Sequence, residues 1–507
     1  MLERIVEEII HYGVKHLFLS EDDVMFVRNE ILNELGLDRP YDGDHLRFDE
    51  IDYLESPTPI INKLKEEMPE IDDRKIEKIM SFITPMPSQL ISKFKELKKN
   101  SVEDATSYFY YLMTRNNYIK VDDIKKNLSW IYEGEANNLK ITINLSKPEK
   151  NNKDIAKLVG AKSTTYPKCL LCYSNVGFYG DGAGKPARSN IRVVPLVLNG
   201  EDWFMQYSPY AYYKEHAIVI NKVHTPMRIT HETFRKLTDF VDEYPNYFIG
   251  SNADLPIVGG SILDHEHYQG GLELMPMIHS KTRYEFRHKD YPELAINYLN
   301  WYNSAFKLVS KNKEDIISFA SLLFDTFITY TDESIDLVHE DYNGRHSTVT
   351  PIVRKNNGNY EAYIILRNNR CNEKYPDGIF HAHSQYHNIK KEGIGLIEAM
   401  GLFILPPRLK SELELIKQIL SNDEDSIREI VEKNPSLEKH LSLINKLVVK
   451  YRRSNNYEVA DEIVKNEVGH VCENILRNTG IFKDTIDGQL ALFNFVAQLN
   501  LEVINND

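Results

Sequence analysis

The segment Asp264-His265-Glu266-His267-Tyr268-Gln269-Gly270-Gly271 sets two imidazoles and a primary amide at strict two-residue spacing. With 17 His in 507 residues, a His-x-His pair is expected by chance about 0.6 times, so the pair alone carries little weight. Adding the glutamine changes this. His-x-His-x-Gln is expected about 0.01 times, yet it occurs at 265–269 and again at 381–385. On an extended strand alternate side chains share a face at about 6.8 Å spacing, so His265, His267 and Gln269 would point the same way. A neutral imidazole near pH 7 can serve as nucleophile or metal ligand, and an amide can donate to an oxyanion. The plainer alternative is an edge strand turning a wet face to solvent. Glycines 259, 260, 270 and 271 favour the first reading, because they permit close approach of a ligand to backbone.

Cys169-x-x-Cys172 has three readings: a zinc ligand pair, a redox dithiol, or two small buried apolar residues. The redox reading is the weakest, since no Trp-Cys-x-Pro context surrounds it. GFYGDGAGKPAR (177–188) ends a Gly-rich run in Gly-Lys, but P-loop spacing and the following Ser or Thr are missing, so that mode of phosphate cradling is rejected. Arg188 and Arg192 remain as sources of local positive charge for a diphosphate.

The elements that must position these groups follow from period and punctuation. Residues 1–138 read as a helical segment, with apolar residues three and four apart in ERIVEEIIHYGVKHLF and KIEKIMSFI, broken by TPMPS. From 139 the period changes, and LKITINL, IRVVPLVL, AIVI, GGLELMPM, STVTPIVR and YEAYIILR read as β-type runs. After Pro406-Pro407 the chain returns to helices in KSELELIKQIL, LEKHLSLINKLVVKY and GQLALFNFVAQLNL. No fixed-period repeat is visible, which excludes a solenoid. The expectation is an α+β fold.

Composition bounds the function. A formal charge of −14, from 75 acids against 61 bases, argues against nucleic-acid binding, which needs a clustered basic surface. MLERIVEEII carries acids among its apolar residues and does not read as a signal peptide. The longest apolar run, GIGLIEAMGLFILPP, contains Glu398 and is too short to span a bilayer. Four cysteines, two of them isolated (Cys371 and Cys472), are not the usage of a disulfide-stapled secreted protein. A cytoplasmic location without membrane or nucleic-acid partners is expected.

The string GGSILDHEHYQGG (259–271) resembles the signature of the histidine-triad superfamily in its transferase branch, where glutamine replaces the last histidine. It is most similar to the galactose-1-phosphate uridylyltransferases of the longer bacterial type (class II). TPMPS (84–88), YFYYLMTRNNYI (108–119), ITINLSKPEK (141–150), KCLLCYSNVGFYGD (168–181), QYSPYAYYKEHAIVIN (206–221) and HSQYHNIKKEGIGLIEAMG (383–401) resemble that type in the same order. The resemblance implies antiparallel histidine-triad-like sheets in two related halves. The first, 139–330, carries the zinc-type ligands and nucleophile; the second spans 331–408; helical segments 1–138 and 409–507 flank them. It implies an enzyme of galactose and carbohydrate metabolism, taking UDP-glucose or UDP-galactose and hexose 1-phosphates, with ping-pong transfer of UMP through a covalent uridylyl-histidine.

By motif match His267 is the nucleophile and Gln269 donates to a nonbridging oxygen of the transferred group. Ser261 assists, Asn252 touches phosphate, and Lys391 binds the hexose phosphate. The resemblance favours a structural zinc held by Cys169, Cys172, His224 and His265. At His381-x-His383-x-Gln385 some shorter members hold a second metal, but the histidine expected upstream is absent from RNNRCNEKYP, which leaves open a metal, or a polar role beside the hexose phosphate or at a subunit contact. A homodimer completing the active site also stays open, as do two other functions: a nucleotidyltransferase or dinucleotide phosphorylase of the same fold acting on another nucleotide, and a noncatalytic zinc-scaffolded binding protein.

Overall fold

Apolar residues at helical spacing bury Ile5, Val6, Ile9, Ile10 and Tyr12 along one face of the first helix, Leu2–Leu17. The computed structural model describes residues 1–43, 48–146, 165–182, 184–260, 262–423, 426–453 and 455–504. The chain divides into two compact units, each assembled from three segments. The first comprises Met1–Lys126, Pro148–Pro226 and Asp264–Leu272; the second comprises Asn127–Lys147, Met227–Leu263 and Glu273–Asp507. The fold is α+β, with mixed helices and largely antiparallel sheets.

In the first unit the strands Val194–Leu198, Glu201–Tyr207, Ala217–Asn221 and His267–Gly271 pair antiparallel in that order. Asn199-Gly200 closes the first hairpin with both φ angles positive, 48° and 76°, the conformation a two-residue turn needs to match strand twist. The helix Val102–Arg115 starts at Ser101, whose side chain accepts from the Asp104 amide. It packs on the second strand: Phe109 lies 4.8 Å from Tyr207 between ring centroids, and Tyr207 Oη donates to Thr106 O.

The strand His267–Gly271 is fixed by its alternation. Tyr268 is fully buried, stacks on Trp203 at 4.9 Å, and donates from its hydroxyl to Glu266 Oε1. Its neighbours His267 and Gln269 therefore point to the opposite face.

In the second unit seven strands pair antiparallel in the order Glu502–Val503, Thr282–Arg287, Ala295–Leu299, Ala305–Ser310, Asn359–Asn368, Ser347–Asn356, Phe248–Gly250. The helices His231–Glu243 and Lys313–Phe327 contact this sheet and bury Phe240, Val241, Phe319 and Leu323. A separate three-stranded sheet joins Leu128–Tyr132 to Leu139–Ile143, and the latter runs parallel to Leu402–Leu405. This parallel pair departs from the expected antiparallel arrangement. Helices Leu409–Ser421, Leu441–Tyr451, Tyr457–Thr479 and Ile486–Gln498 follow.

One expected β run and the longest apolar run are broken by their punctuation. GGLELMPM keeps only its two glycines in a strand, and Pro276 opens a 3-10 turn over Pro276–His279. GIGLIEAMGLFIL splits into a short helix, Leu396–Ala399, and the strand Leu402–Leu405, separated by Gly401 at φ 95°. No helix among the described residues is long and apolar enough to cross a membrane.

Candidate active site

Two chemically distinct groups meet along one short stretch of the first unit. The first is a four-donor cluster of Cys169, Cys172, His224 and His265, whose ligand atoms all lie within 4.8 Å of one another. Cys169 Sγ and Cys172 Sγ are 3.6 Å apart, Cys169 Sγ lies 3.2 Å from His265 Nδ1, and Cys172 Sγ lies 3.2 Å from His224 Nδ1. A tetrahedral ion with metal–sulfur distances of about 2.3 Å and metal–nitrogen distances of about 2.0–2.1 Å sets its donors roughly 3.3–3.8 Å apart. The cluster fits that shell.

The tautomer agrees. His265 Nε2–H donates to Asn221 O at 2.8 Å, which leaves Nδ1 unprotonated toward the two sulfurs. His265 precedes the strand, so it does not share the strand face with His267 and Gln269, contrary to the period-two expectation. Its side chain turns to the cysteines while its backbone carbonyl serves its neighbour.

That neighbour is the second group. His267 Nδ1–H donates to His265 O at 2.7 Å. A carbonyl can only accept, so the proton sits on Nδ1 and the lone pair on Nε2. Burial pulls the His267 pKa below its ordinary value. Two residues on, Gln269 Oε1 accepts from His216 Nε2–H at 3.1 Å. His216 is buried, which pushes its pKa down to about 4 and keeps it neutral. With its oxygen engaged, the Gln269 amide nitrogen has two N–H groups to offer.

The remaining expected residues are placed as follows. Arg192 is a correction: its guanidinium is buried and donates to the carbonyls of Ser81, Thr84, Pro85, Ser189 and Ile191, so it ties the loop after the helix Asp73–Phe82 and has no donor left for a diphosphate. Arg188 is half-buried, with its guanidinium 5.7 Å from the Tyr118 ring centroid. Asn252 belongs to the second unit, where its Oδ1 accepts from the Leu396 amide at 2.8 Å. Lys391 is exposed. Its neighbour Lys390 is the buried lysine and donates to Glu398 Oε1 and Ile404 O, each at 3.0 Å. Ser261 lies outside the described residues.

The second His-x-His-x-Gln does not repeat the first. His381 lies on a bend, His383 Nε2–H donates to Ile379 O at 3.1 Å, and Gln385 sits exposed in the 3-10 turn Ser384–Tyr386. Among the described residues the cysteine–histidine cluster is the one group of three or more metal-type ligands. His216 was not singled out in the sequence: it precedes the AIVI run, and only the strand register brings it to Gln269.

The chain matches the family model of the galactose-1-phosphate uridyl transferase N-terminal domain over residues 38–226 and that of the C-terminal domain over residues 239–458. A galactose-1-phosphate uridylyltransferase of Caldanaerobacter subterraneus is 42% identical over 97% of this chain and 96% of its own length. Those of Clostridium acetobutylicum and Bacillus subtilis are 41% and 38% identical, covering 98% and 99% of this chain and 99% and 98% of their own lengths. The crystal structure of yeast Ap4A phosphorylase Apa2 aligns with a TM-score of 0.30 at 12% identity, over 70% of this chain and 92% of that one. An α+β chain with these matches over both halves is a nucleotidyltransferase. It belongs to the galactose-1-phosphate uridylyltransferase family.

Proposed function

We propose that the chain transfers UMP from UDP-glucose to galactose 1-phosphate in two displacements at His267. His267 Nε2 attacks the α-phosphorus, the bond from that phosphorus to the bridging oxygen breaks, and glucose 1-phosphate leaves with the electron pair. An ionised oxygen of galactose 1-phosphate then attacks the same phosphorus, the phosphorus–nitrogen bond breaks, and UDP-galactose departs. Neither nucleophile has a proton to lose, so no strong general base is required. Positioning and charge stabilisation carry the rate.

The observation that supports this reading is the 2.7 Å hydrogen bond from His267 Nδ1–H to His265 O. It directs the lone pair to Nε2, and it strengthens as the ring gains positive charge on uridylylation. Gln269, held through its oxygen by His216, would donate from its nitrogen to a nonbridging phosphoryl oxygen.

Cys169, Cys172, His224 and His265 would hold zinc. Four protein ligands fill a tetrahedral shell, so the ion would supply folding energy and strand position.

Intact mass after brief exposure to UDP-glucose tests the reading. One uridylyl group on the wild type and none on His267→Ala is expected. An adduct from ATP alone would move the chain to the adenylyl reading, and no adduct with either nucleotide would sink covalent transfer.

A further inference from the structure

In the second unit two polar side chains, the charge of one acting on the other, are buried with most of their hydrogen-bonding capacity unspent. Arg367, near the end of the strand Asn359–Asn368, is 1% exposed, and His381 is 3% exposed. Arg367 Nη2 donates to Ile394 O at 2.6 Å, but Nε and Nη1 have no partner. Neither ring nitrogen of His381 has one either. A buried donor without an acceptor costs stability, and a guanidinium costs more than an amide or hydroxyl. Three donor atoms, Arg367 Nε and Nη1 and one ring nitrogen of His381, call for a group that supplies acceptors.

The charge balance says which sign. The nearby carboxylate of Glu398 is already paired with buried Lys390 at 3.0 Å, leaving the Arg367 charge in excess. Asp377, the carboxylate acting on His381, lies half in solvent and 4.0 Å from His387 Nδ1. Burial, followed by the charge of Arg367, pulls the His381 pKa down to about 4. The ring is therefore neutral, with one N–H to donate. Burial, partly offset by the charge of Glu398, lowers Arg367 to about 10, which still leaves it charged at neutral pH.

The backbone around this pair is closely set. A Cβ on Gly378 would fall 2.8 Å from His381 Cβ and 3.3 Å from Ile257 Cγ2, and one on Gly393 would fall 3.0 Å from Ile257 O. Ile257 itself is held at φ 71°, a conformation a β-branched side chain rarely adopts. Strain of this kind persists where the surroundings over-determine the backbone, and it clusters at ligand clamps.

We infer that Arg367 and His381 form a binding site for a phosphate-type oxyanion. Such an anion offers several strong acceptors to the three unspent N–H groups on Nε and Nη1 and to the imidazole N–H, and its charge balances the guanidinium. The anion has two sources: the phosphate of a sugar 1-phosphate, which rests on the reaction proposed above, or free inorganic phosphate.

Thermal unfolding of the full-length protein tests the site without using catalysis. Wild type is titrated with inorganic phosphate, galactose 1-phosphate and, as control, chloride at matched ionic strength. A saturable rise in midpoint with the phosphates and none with chloride is expected, because a ligand that binds only the folded state stabilises it. Arg367→Met should weaken the apparent affinity by at least about tenfold, the scale of a lost charge-assisted contact. His381→Asn, which keeps the guanidinium, should weaken it to a smaller degree and covers the case in which the arginine variant does not fold. If both phosphates lose affinity in these variants, the sugar phosphate occupies the site; if only inorganic phosphate does, the free ion does. No phosphate-specific rise in the wild type, or an equal rise in both variants, overturns the inference. Failure of the UDP-glucose adduct with phosphate stabilisation intact would instead remove the proposed reaction and leave this site standing.

Discussion

His216 Nε2 and Gln269 Oε1 lie 3.1 Å apart across the paired strands Ala217–Asn221 and His267–Gly271, and the direction of that bond decides what Gln269 can do. The neutral, buried imidazole donates, so the amide oxygen is occupied and its nitrogen is presented outward. His216→Phe keeps bulk beside Tyr212 and Tyr213 but removes the donor. The amide can then rotate. Single-turnover uridylylation is expected to slow about tenfold, short of the roughly 10²–10³-fold cost of deleting an oxyanion donor outright. KM should change little. An unchanged rate would show that Gln269 needs no such partner.

Removing a ligand from the four-donor cluster should move stability before chemistry. The purified protein is expected to carry one zinc per chain, measured by elemental analysis. Cys172→Ser should lose it, with a lower unfolding midpoint and faster proteolysis, since Cys172 Sγ approaches both His224 and His265. The uridylylation rate per folded molecule should fall less than it does in His267→Ala. Full zinc content in Cys172→Ser would exclude this shell.

Much of this was legible in the chain because the signals are local. The helix Leu2–Leu17 and the strands Ser347–Asn356 and Asn359–Asn368 follow directly from apolar period. Cys169-x-x-Cys172 and His265-x-His267-x-Gln269 mark themselves by spacing. What was not legible depends on neighbours distant in sequence. His216 acquires a partner only through register, and Arg367 reads as the end of the apolar run YIILR until its burial is known. Arg192 misled because a loop arginine beside a Gly-rich run looks available, whereas five backbone carbonyls surround it. The same five-residue pattern at 381–385 forms a bend and turn because no strand pairs with it. The glycines also had a different cause. Those at 259, 260 and 271 lie against the chain's own atoms, which explains them without a ligand.

Gly271 gives that last point a test. Its φ is 153°, and a Cβ there would fall 2.6 Å from Glu215 O and 2.8 Å from Tyr213 Cε2. Tyr213 Oη also donates to Gly270 O, so the ring cannot simply move away. Gly271→Ala should cost about 2 kcal/mol, the usual scale of forced overpacking, and shift the strand end that carries Gln269. Denaturant unfolding with an unchanged slope checks the first effect. Slower uridylylation in the folded fraction checks the second.

Acid should destabilise the second unit through a buried triad whose protonation state is fixed by its contacts. His440 is fully buried; its Nε2–H donates to Glu412 Oε2 at 2.9 Å, and Asn388 Nδ2 donates to its Nδ1 at 3.2 Å. Burial, only partly offset by Glu412, holds the His440 pKa below its ordinary value. A second proton would have to sit on Nδ1, facing the donor of Asn388. For Glu412, burial raises the pKa, but hydrogen bonds from Lys439 and His440 and the charge of Arg408 outweigh it and leave the group below the usual carboxylate range. Both folded pKa values are therefore depressed, so in each case the unfolded chain takes up protons first. Stability is complete above the unfolded histidine pKa of about 6.5, declines as pH falls below it, and declines again below the unfolded glutamate pKa of about 4.3. In His440→Gln, whose amide can still donate to Glu412 and accept from Asn388, the first decline should become shallower, the other buried histidines keeping their share, while the second remains. Urea unfolding from pH 8 down to about pH 3 on both proteins gives the comparison. Parallel curves for the two would mean that His440 does not titrate on unfolding.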